Sequence, residues 1–465
     1  MMTENTHFGP NFIDKVMREA RGVFFVGVGG INMSSLAHLT HVKGYRTGGS
    51  DRTRSPLTEK LAAEGIDIRY AHAAENIEGY DVVVYTVAIT TDNPEYAAAT
   101  EKGIPCFSRA DYMGYLMSEF PRRIGISGMH GKSTCTSICA QIFMDAEGDP
   151  TVLSGAVLPS MGGAYRIGGR DNFIFEACEY KDSFLDFNPN IAVILNIEPD
   201  HLDYFSGIEQ ILDSFEAYAK KADVLIANAD DENVTEVCRR VAERDIITFA
   251  VENDADYRAE NIAVSGGFYS FDVIERGKHL FRAELSVFGR HNIYNAIAAI
   301  AAARLCGLAP EGIAAGLKNY RGAARRMQYM GRLNGAPLFS DYAHHPTELR
   351  ATLEGLREAA EGRVVAVFQP HTYSRTAALF DEFAHSFGAS DEVIITDIYA
   401  ARETNIYGVS EEALAGAIGK KALYIKGFEN VAEHLKTTVG ESDTVILLGA
   451  GDIEKVLPYL PALDK

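Results

Sequence analysis

Several things are scarce in this 465-residue chain, and each scarcity excludes a class of protein. Its six cysteines (Cys106, Cys135, Cys139, Cys178, Cys238 and Cys306) form no C-x-x-C pair. That argues against a disulfide framework or zinc module and fits a reducing compartment. The most apolar stretch, residues 296–306, is Ala-rich and well short of the ~20 residues a membrane span needs. The polar start MMTENTHFGPNF lacks the charged-then-apolar pattern of a secretory signal. A cytoplasmic protein without membrane insertion is expected. With 42 glycines and 15 prolines the chain is not fibrous. Basic residues are also outnumbered, 44 Lys+Arg against 64 Asp+Glu, giving a net charge of −20. A surface that acidic repels polyanions, so no nucleic-acid partner is expected. Any phosphate must be held locally, by backbone N–H groups and a few cations.

What is present is an alternation of short β-branched runs with helical patterns. The runs are residues 23–28, 82–86, 123–127, 173–176, 192–196, 224–228, 364–369, 392–397 and 445–449. Apolar on both faces and bounded by Gly, Pro, Asp or Asn, they read as buried parallel strands of doubly wound α/β domains. Residues 257–285 break the pattern, with alternating FYSFDV and HLFRAELSVF flanking Glu275–Lys278, which predicts an antiparallel hairpin inserted in the middle domain. The chain length suggests about three domains. The divisions expected are 1–107 (Rossmann-like), 108–323 (central, P-loop-like) and 324–465 (a second Rossmann-like domain).

Four motifs carry candidate chemistry. An apolar strand runs into Gly128-Met-His130-Gly131-Lys132-Ser133-Thr134, followed by a helix. Backbone N–H groups of such a loop cradle phosphates at a helix N-terminus, the lysine reaches the β/γ-phosphates and the hydroxyl of Ser133 meets Mg²⁺. The loop is shorter than GxxxxGK[ST], and its bland alternative is a Gly-rich turn with a surface lysine. A second cluster, Gly27-Val-Gly29-Gly30-Ile-Asn32-Met-Ser34, also opens a helix, with Asp51 about 20 residues on as a ribose-binding acid would be. Asn32 occupies the third glycine position, so a nicotinamide cofactor, another nucleotide diphosphate or no ligand all remain open. The third comprises Glu176, Cys178 and Glu179, then Asn196, Glu198, Asp200, His201 and Asp203. These follow predicted strands and suit Mg²⁺ bridging phosphates, or are ordinary acidic strand ends. The fourth holds Asp341, His344, His345 and Glu348, then Gln369, His371, Tyr373 and Arg375. These could position an anionic substrate, ligate zinc, or simply start a helix at Pro346.

Taken together, these strings resemble the Mur ligase family over nearly the whole chain. GVGGINMSSLA is similar to the family's UDP-binding loop and SGMHGKST to its ATP loop. FEACEY and NIEPDHLDYF resemble its metal-carrying strand ends, GRHNIYNAIAAI its adenine-binding helix start, and GAARRMQYMG the basic turn into its last domain. DYAHHPTEL, FQPHTYSRT, DIYAARE and GAGDI resemble the alanine-adding branch in particular. The resemblance implies ATP-dependent amide-bond synthesis for peptidoglycan, joining L-alanine to the lactyl carboxylate of UDP-N-acetylmuramate through an acyl phosphate. It further implies that Gly128, His130, Gly131, Lys132, Ser133 and Thr134 hold the ATP phosphates, and that Ser133, Glu176 and His201 serve Mg²⁺. Asn292 and Asn295 would contact adenine, and Arg326 and Asp341 the ATP from the third domain, which would bind the amino acid and close on ATP. Lys132, His344 and Arg375 would be catalytic, the last two through L-alanine and the acyl phosphate. Gly29, Gly30, Ser34, Asp51 and His72 would address the UDP portion.

Departures from the family pattern are Asn32 in the first Gly loop, and Cys178 and Lys181 where many members carry acids. Two other readings stand beside this one. A branch that adds a cell-wall tripeptide shares the first three strings and differs where this chain reads FQPHTYSRT. A nicotinamide-dependent oxidoreductase would use the first Gly loop and leave the second without a purpose. A homodimer is left open.

Overall fold

The structure, a computed structural model, describes residues 3–200, 204–265, 268–401 and 403–464. It is a three-domain α/β chain built on mostly parallel sheets. The apolar runs of the sequence form the strands Gly22–Val26, Val82–Tyr85, Arg122–Ser127, Asn172–Glu176, Ile191–Ile194, Val224–Asn228, Val364–Phe368, Glu392–Ile395 and Thr444–Leu448. Gly22–Val26, Val82–Tyr85, Ile191–Ile194, Val364–Phe368 and Thr444–Leu448 are buried along their whole length. Helices cover both faces of such strands, so a continuous apolar run is tolerated.

The first sheet is all parallel, in the order Asp67–Arg69, Arg46–Ser50, Gly22–Val26, Val82–Tyr85, Cys106–Ser108. The strand Arg46–Ser50 (RTGGS) carries no β-propensity. It is a strand because the neighbouring chain leaves no room for a side chain: a Cβ on Gly48 would sit 2.1 Å from the Tyr80 hydroxyl oxygen. The second sheet runs Asp245–Ala250, Val224–Asn228, Ile191–Ile194, Arg122–Ser127, Asn172–Glu176, Thr151–Leu158, with Gly163–Arg166 antiparallel at its edge. The third runs Gln328–Leu333, Ala336–Asp341, Thr444–Leu448, Val364–Phe368, Glu392–Ile395, Ala422–Tyr424, and only Gln328–Leu333 is antiparallel.

By packing, the chain forms two compact units. One contains residues 1–258, 274–281 and 294–316, and the other 259–273, 282–293 and 317–465. In the first unit one apolar core joins Phe25 of the first sheet and Phe173 of the second with Tyr112, Phe184 and Tyr218 from the helical segments packed on them. In the second unit the third sheet has a core on each face, one around Leu353, Phe368 and Phe387 and one around Val367, Leu435 and Leu447.

The expected hairpin is three strands: Tyr257–Ser265, Phe268–Glu275 and Lys278–Phe288. Its last turn is Arg276-Gly277, with φ of 49° and 77°. Two consecutive positive φ values make a type I′ turn, whose twist matches that of the flanking strands. All six cysteines are free. Among the described residues no helix is long and apolar enough to cross a membrane.

The turn supplies a stability test. Gly277→Val places a β-branched residue at positive φ and should cost roughly 1–2 kcal/mol, lowering the urea midpoint measured by circular dichroism. Gly277→Asn should be nearly neutral.

Candidate active site

Parallel register sets the Lys132 loop beside its carboxylates. The strand Arg122–Ser127 lies between Asn172–Glu176 and Ile191–Ile194, with Ile126 opposite Glu176 and Ser127 opposite Ile194. The three strands therefore deliver the glycine loop, the Glu176–Glu179 segment and Asn196 to one edge of the sheet. Asn196 clamps the loop: its Oδ1 accepts from the His130 N–H at 2.8 Å, and its Nδ2 donates to the His130 carbonyl at 2.9 Å. Gly131 caps the helix Lys132–Asp145 at φ 85°, and a Cβ there would lie 2.6 Å from Asn295 Oδ1. Glycine is needed for both reasons, and the contact puts Asn295 against the loop. His130 Nε2 lies 3.8 Å from Glu198 Oε2, and Thr134 is half-buried in the first helical turn.

Lys132 Nζ is folded back onto its own loop. It donates to the Gly128 carbonyl at 2.5 Å and the Met129 carbonyl at 3.1 Å, and pairs with Glu179 at 3.0 Å. Burial works against the ammonium, but the Glu179 carboxylate outweighs it and holds the pKa above that of an ordinary lysine. Burial also pushes the neighbouring Cys178 thiol up to about 11, so it is neutral at pH 7. Ser133 Oγ donates to Glu176 Oε2 at 3.0 Å, while Ser154 Oγ donates to the other oxygen at 3.1 Å and the Gly155 N–H joins it. Two of the three residues expected at a metal thus meet directly. The third, His201, lies outside the described residues. No group of three or more His, Cys, Asp or Glu side chains suited to a metal occurs among the described residues. A hydroxyl and one carboxylate beside a phosphate loop do fit Mg²⁺, which keeps several waters and takes its other oxygens from phosphate.

The first Gly loop follows the central strand of the first sheet. Gly29 N–H donates to Asp51 Oδ2 at 2.9 Å, and Thr53 N–H donates to Oδ1 at 3.1 Å. Asp51 therefore holds the loop in shape. Gly30 is the N-cap of the helix Ile31–Val42. Ser34, expected at the UDP portion, is fully buried and its hydroxyl donates to the Ile31 carbonyl at 2.8 Å. A serine in the first helical turn satisfies itself on nearby backbone. His72 Nδ1 lies 2.7 Å from Glu95 Oε2 and 3.1 Å from Ser50 Oγ, inside a network that Asn76 completes on Glu95 Oε1 at 2.7 Å.

In the second unit the ends of Ala336–Asp341, Thr444–Leu448 and Val364–Phe368 share an edge. Asp341 accepts from the Met327 and Ala343 N–H groups, each at 2.7 Å. Burial raises its pKa to about 6, against the pull of Arg326. The Arg326 guanidinium lies over the Tyr342 ring at 5.2 Å, and that of Arg325 at 4.8 Å. His344 Nδ1 faces the Tyr342 carbonyl at 3.0 Å and Glu348 Oε2 at 3.3 Å. A carbonyl only accepts, so Nδ1 carries the proton and Nε2 presents a lone pair. Burial lowers the His344 pKa to about 4, assisted by Arg375 and His371 and opposed by Glu348. Arg375 Nη1 donates to the His371 carbonyl at 3.3 Å. Among the described residues it has no carboxylate at ion-pair distance. Asn292 is buried, with Nδ2 donating to the Phe288 carbonyl at 2.6 Å.

Sequence reasoning named Glu179 and Asn196 within its third motif and Glu403 within a family-like string, but gave none of them a role of its own. Glu403 braces the segment carrying Arg375, accepting from Thr372 Oγ1 and Ser374 N–H at 2.9 Å and from Ser374 Oγ at 2.5 Å. Glu179 and Asn196 sit inside strings that the sequence did flag. Glu403 ends the flagged string DIYAARE, 28 residues beyond Arg375.

Three family models match: the Mur ligase family, catalytic domain over residues 23–121, the Mur ligase middle domain over 126–303, and the Mur ligase, glutamate ligase domain over 325–451. A UDP-N-acetylmuramate–L-alanine ligase of Caldicellulosiruptor saccharolyticus is 42% identical over 449 residues, covering 95% of this chain and 98% of the relative. The enzyme of the same name from Clostridium acetobutylicum is 42% identical, covering 94% and 96%. The crystal structure of a UDP-N-acetylmuramate–alanine ligase from Thermotoga maritima superposes with a TM-score of 0.79 at 27% identity, covering 94% and 98%. A murein peptide ligase from Psychrobacter arcticus shares the fold, with a TM-score of 0.70 at 22% identity, covering 96% and 100%.

The depressed His344 pKa gives a pH test. Between pH 6.5 and about 4 the unfolded chain binds a proton at His344 that the folded chain does not. Stability from this group is thus present above 6.5 and lost as pH falls to 4. The unfolding free energy of the wild type, relative to His344→Gln, should drop across that window by something on the order of 1–3 kcal/mol. A difference that stays constant with pH would contradict the neutral, buried imidazole.

Proposed function

This chain belongs to the Mur ligase family, and on that premise we propose that it joins L-alanine to the lactyl carboxylate of UDP-N-acetylmuramate, consuming ATP. The carrying observation is that relatives bearing this activity in their names match 93–96% of the chain at 41–43% identity. Each unit by itself is consistent with it: a glycine loop with Lys132 in one, and in the other a neutral His344 and an Arg375 with no carboxylate at ion-pair distance among the described residues.

In the reaction a lactyl carboxylate oxygen attacks the ATP γ-phosphorus, the bond from that phosphorus to the β-bridging oxygen breaks, and ADP leaves. The acyl phosphate is then attacked at its carbonyl carbon by the neutral amine of L-alanine. The tetrahedral species expels inorganic phosphate and the nitrogen loses its extra proton, leaving an amide. Most of the barrier comes from assembling anions, so the protein's task is positioning and charge neutralisation.

Lys132 now spends its protons on the Gly128 and Met129 carbonyls and Glu179, and would trade the carbonyls for β/γ-phosphate oxygens. The N–H groups of Gly131 to Thr134 start a helix and aim at the same phosphates. Ser133 and Glu176 would hold Mg²⁺, which supplies positive charge to the phosphate oxygens. Asn295 beside Gly131 suits a nucleotide-contacting role, and Asn292, Arg326 and Asp341 would also contact ATP. Arg375 would pair with the L-alanine carboxylate or the acyl phosphate, and the His344 Nε2 lone pair would orient the amine. Gly29 and Gly30 would admit the UDP diphosphate at the helix start, with Asp51 shaping that loop and His72 behind it. A cytoplasmic location, where ATP and these precursors occur, completes the proposal.

Purified protein should release phosphate only when UDP-N-acetylmuramate, L-alanine and Mg-ATP are all present, and absence of release would reject the reading. Lys132→Ala should cut turnover by about 10²-fold or more while UDP-N-acetylmuramate binding, followed by calorimetry, persists.

A further inference from the structure

The second unit contains a cavity of about 440 Å³ that the proposed reaction does not use. It is lined at one end by Pro337 and Thr444, which sit at the starts of the strands Ala336–Asp341 and Thr444–Leu448. His344 and Arg375, assigned to catalysis, follow the opposite, carboxyl ends of strands in the same sheet, where open α/β folds bind substrates. The cavity is therefore a separate place on the fold.

Its walls are aromatic. Phe268 packs on Phe288 with ring centroids 4.3 Å apart, Phe288 meets Phe339 edge-on at 5.5 Å, and Tyr329 meets Phe339 at 5.7 Å. Phe268 is 39% exposed and Tyr329 47% exposed, so this aromatic ladder is left open to water, an arrangement that favours an apolar occupant. Its volume lies within the roughly 300–1,000 Å³ typical of small-ligand pockets.

Two arginines, Arg321 and Arg332, also line it. Arg321 donates to the Lys318 carbonyl and Arg332 to the Gly335 carbonyl. Among the described residues neither has a carboxylate at ion-pair distance. In a chain with 64 acidic residues and a net charge of −20, two guanidiniums with no carboxylate at ion-pair distance among the described residues, beside one apolar cavity, are a local positive field. Guanidinium pairs readily with carboxylate, sulfonate or phosphate.

We propose that this cavity binds a small amphipathic anion, an apolar ring or short acyl chain carrying a single acidic group, with the body against the aromatic ladder and the charge at Arg321 and Arg332. The probe is anilinonaphthalene sulfonate, titrated by fluorescence into the full chain with Mg-ATP and UDP-N-acetylmuramate saturating. One saturable site is expected, displaced by decanoate but not by decanol at equal concentration. The Arg321→Ala/Arg332→Ala variant should bind the probe roughly tenfold more weakly, and Tyr329→Ala should weaken it as well. Substitutions at these exposed positions should leave phosphate release unchanged, which reports folding separately. The proposal is overturned if the wild type shows no saturable site, if decanol displaces the probe as well as decanoate does, or if a folded double variant binds it undiminished. None of these readouts depends on which amino acid is ligated.

Discussion

Parallel pairing of Arg122–Ser127 with both its neighbours is the constraint on which the rest of the site depends. Parallel strands leave their carboxyl ends at one edge, and each chain must then turn away into a crossover. At this edge one turn is the glycine loop into the helix Lys132–Asp145, another carries Glu176 and Glu179, and the third carries Asn196. The first N–H groups of a helix lack intrahelical partners, so such an edge suits an anion through its backbone. The same logic is repeated at Gly29 in the first sheet, and Asp341, Gln369 and Gly449 share the corresponding edge of the third.

Electrostatics then decides what those edges can hold. The chain as a whole is strongly acidic, yet each cation of the site is held by few groups. Lys132 is balanced chiefly by Glu179 because its other neighbour, Cys178, stays protonated. Arg375 rests on the His371 carbonyl. His344 is kept neutral by burial, so the third-domain edge presents a lone pair and a guanidinium rather than two cations. An anion entering such a place replaces weak neutral partners and meets little competing carboxylate. The negative surface keeps other polyanions away without touching the local field.

Much of this was legible in the sequence, and the exceptions have physical causes. Long apolar runs were found because both faces of a parallel strand are buried. Arg46–Ser50 was not, since two glycines replace the expected β-branched residues where Tyr80 crosses close by. The Lys132 loop was readable because glycine, lysine and hydroxyl must be contiguous to wrap a phosphate. Ser34 was expected at the UDP portion through the family resemblance, and only the structure shows its hydroxyl bonded to the Ile31 carbonyl. Glu403 lay in a flagged string but its bracing role did not show, because its bonds to Thr372 and Ser374 join segments that only folding brings together.

By itself the sequence determined the layered α/β class, the glycine turn into the Lys132 helix and the kinds of charge available, since these depend on residue type and short-range order. Only the tertiary structure decided which carboxylate meets which cation: Glu179 with Lys132, Glu176 with Ser133, and none for Arg375 among the described residues. The reason is that ion pairing and burial depend on distances of a few ångströms between segments far apart in the chain. Strand register and packing set those distances, and local composition does not encode them.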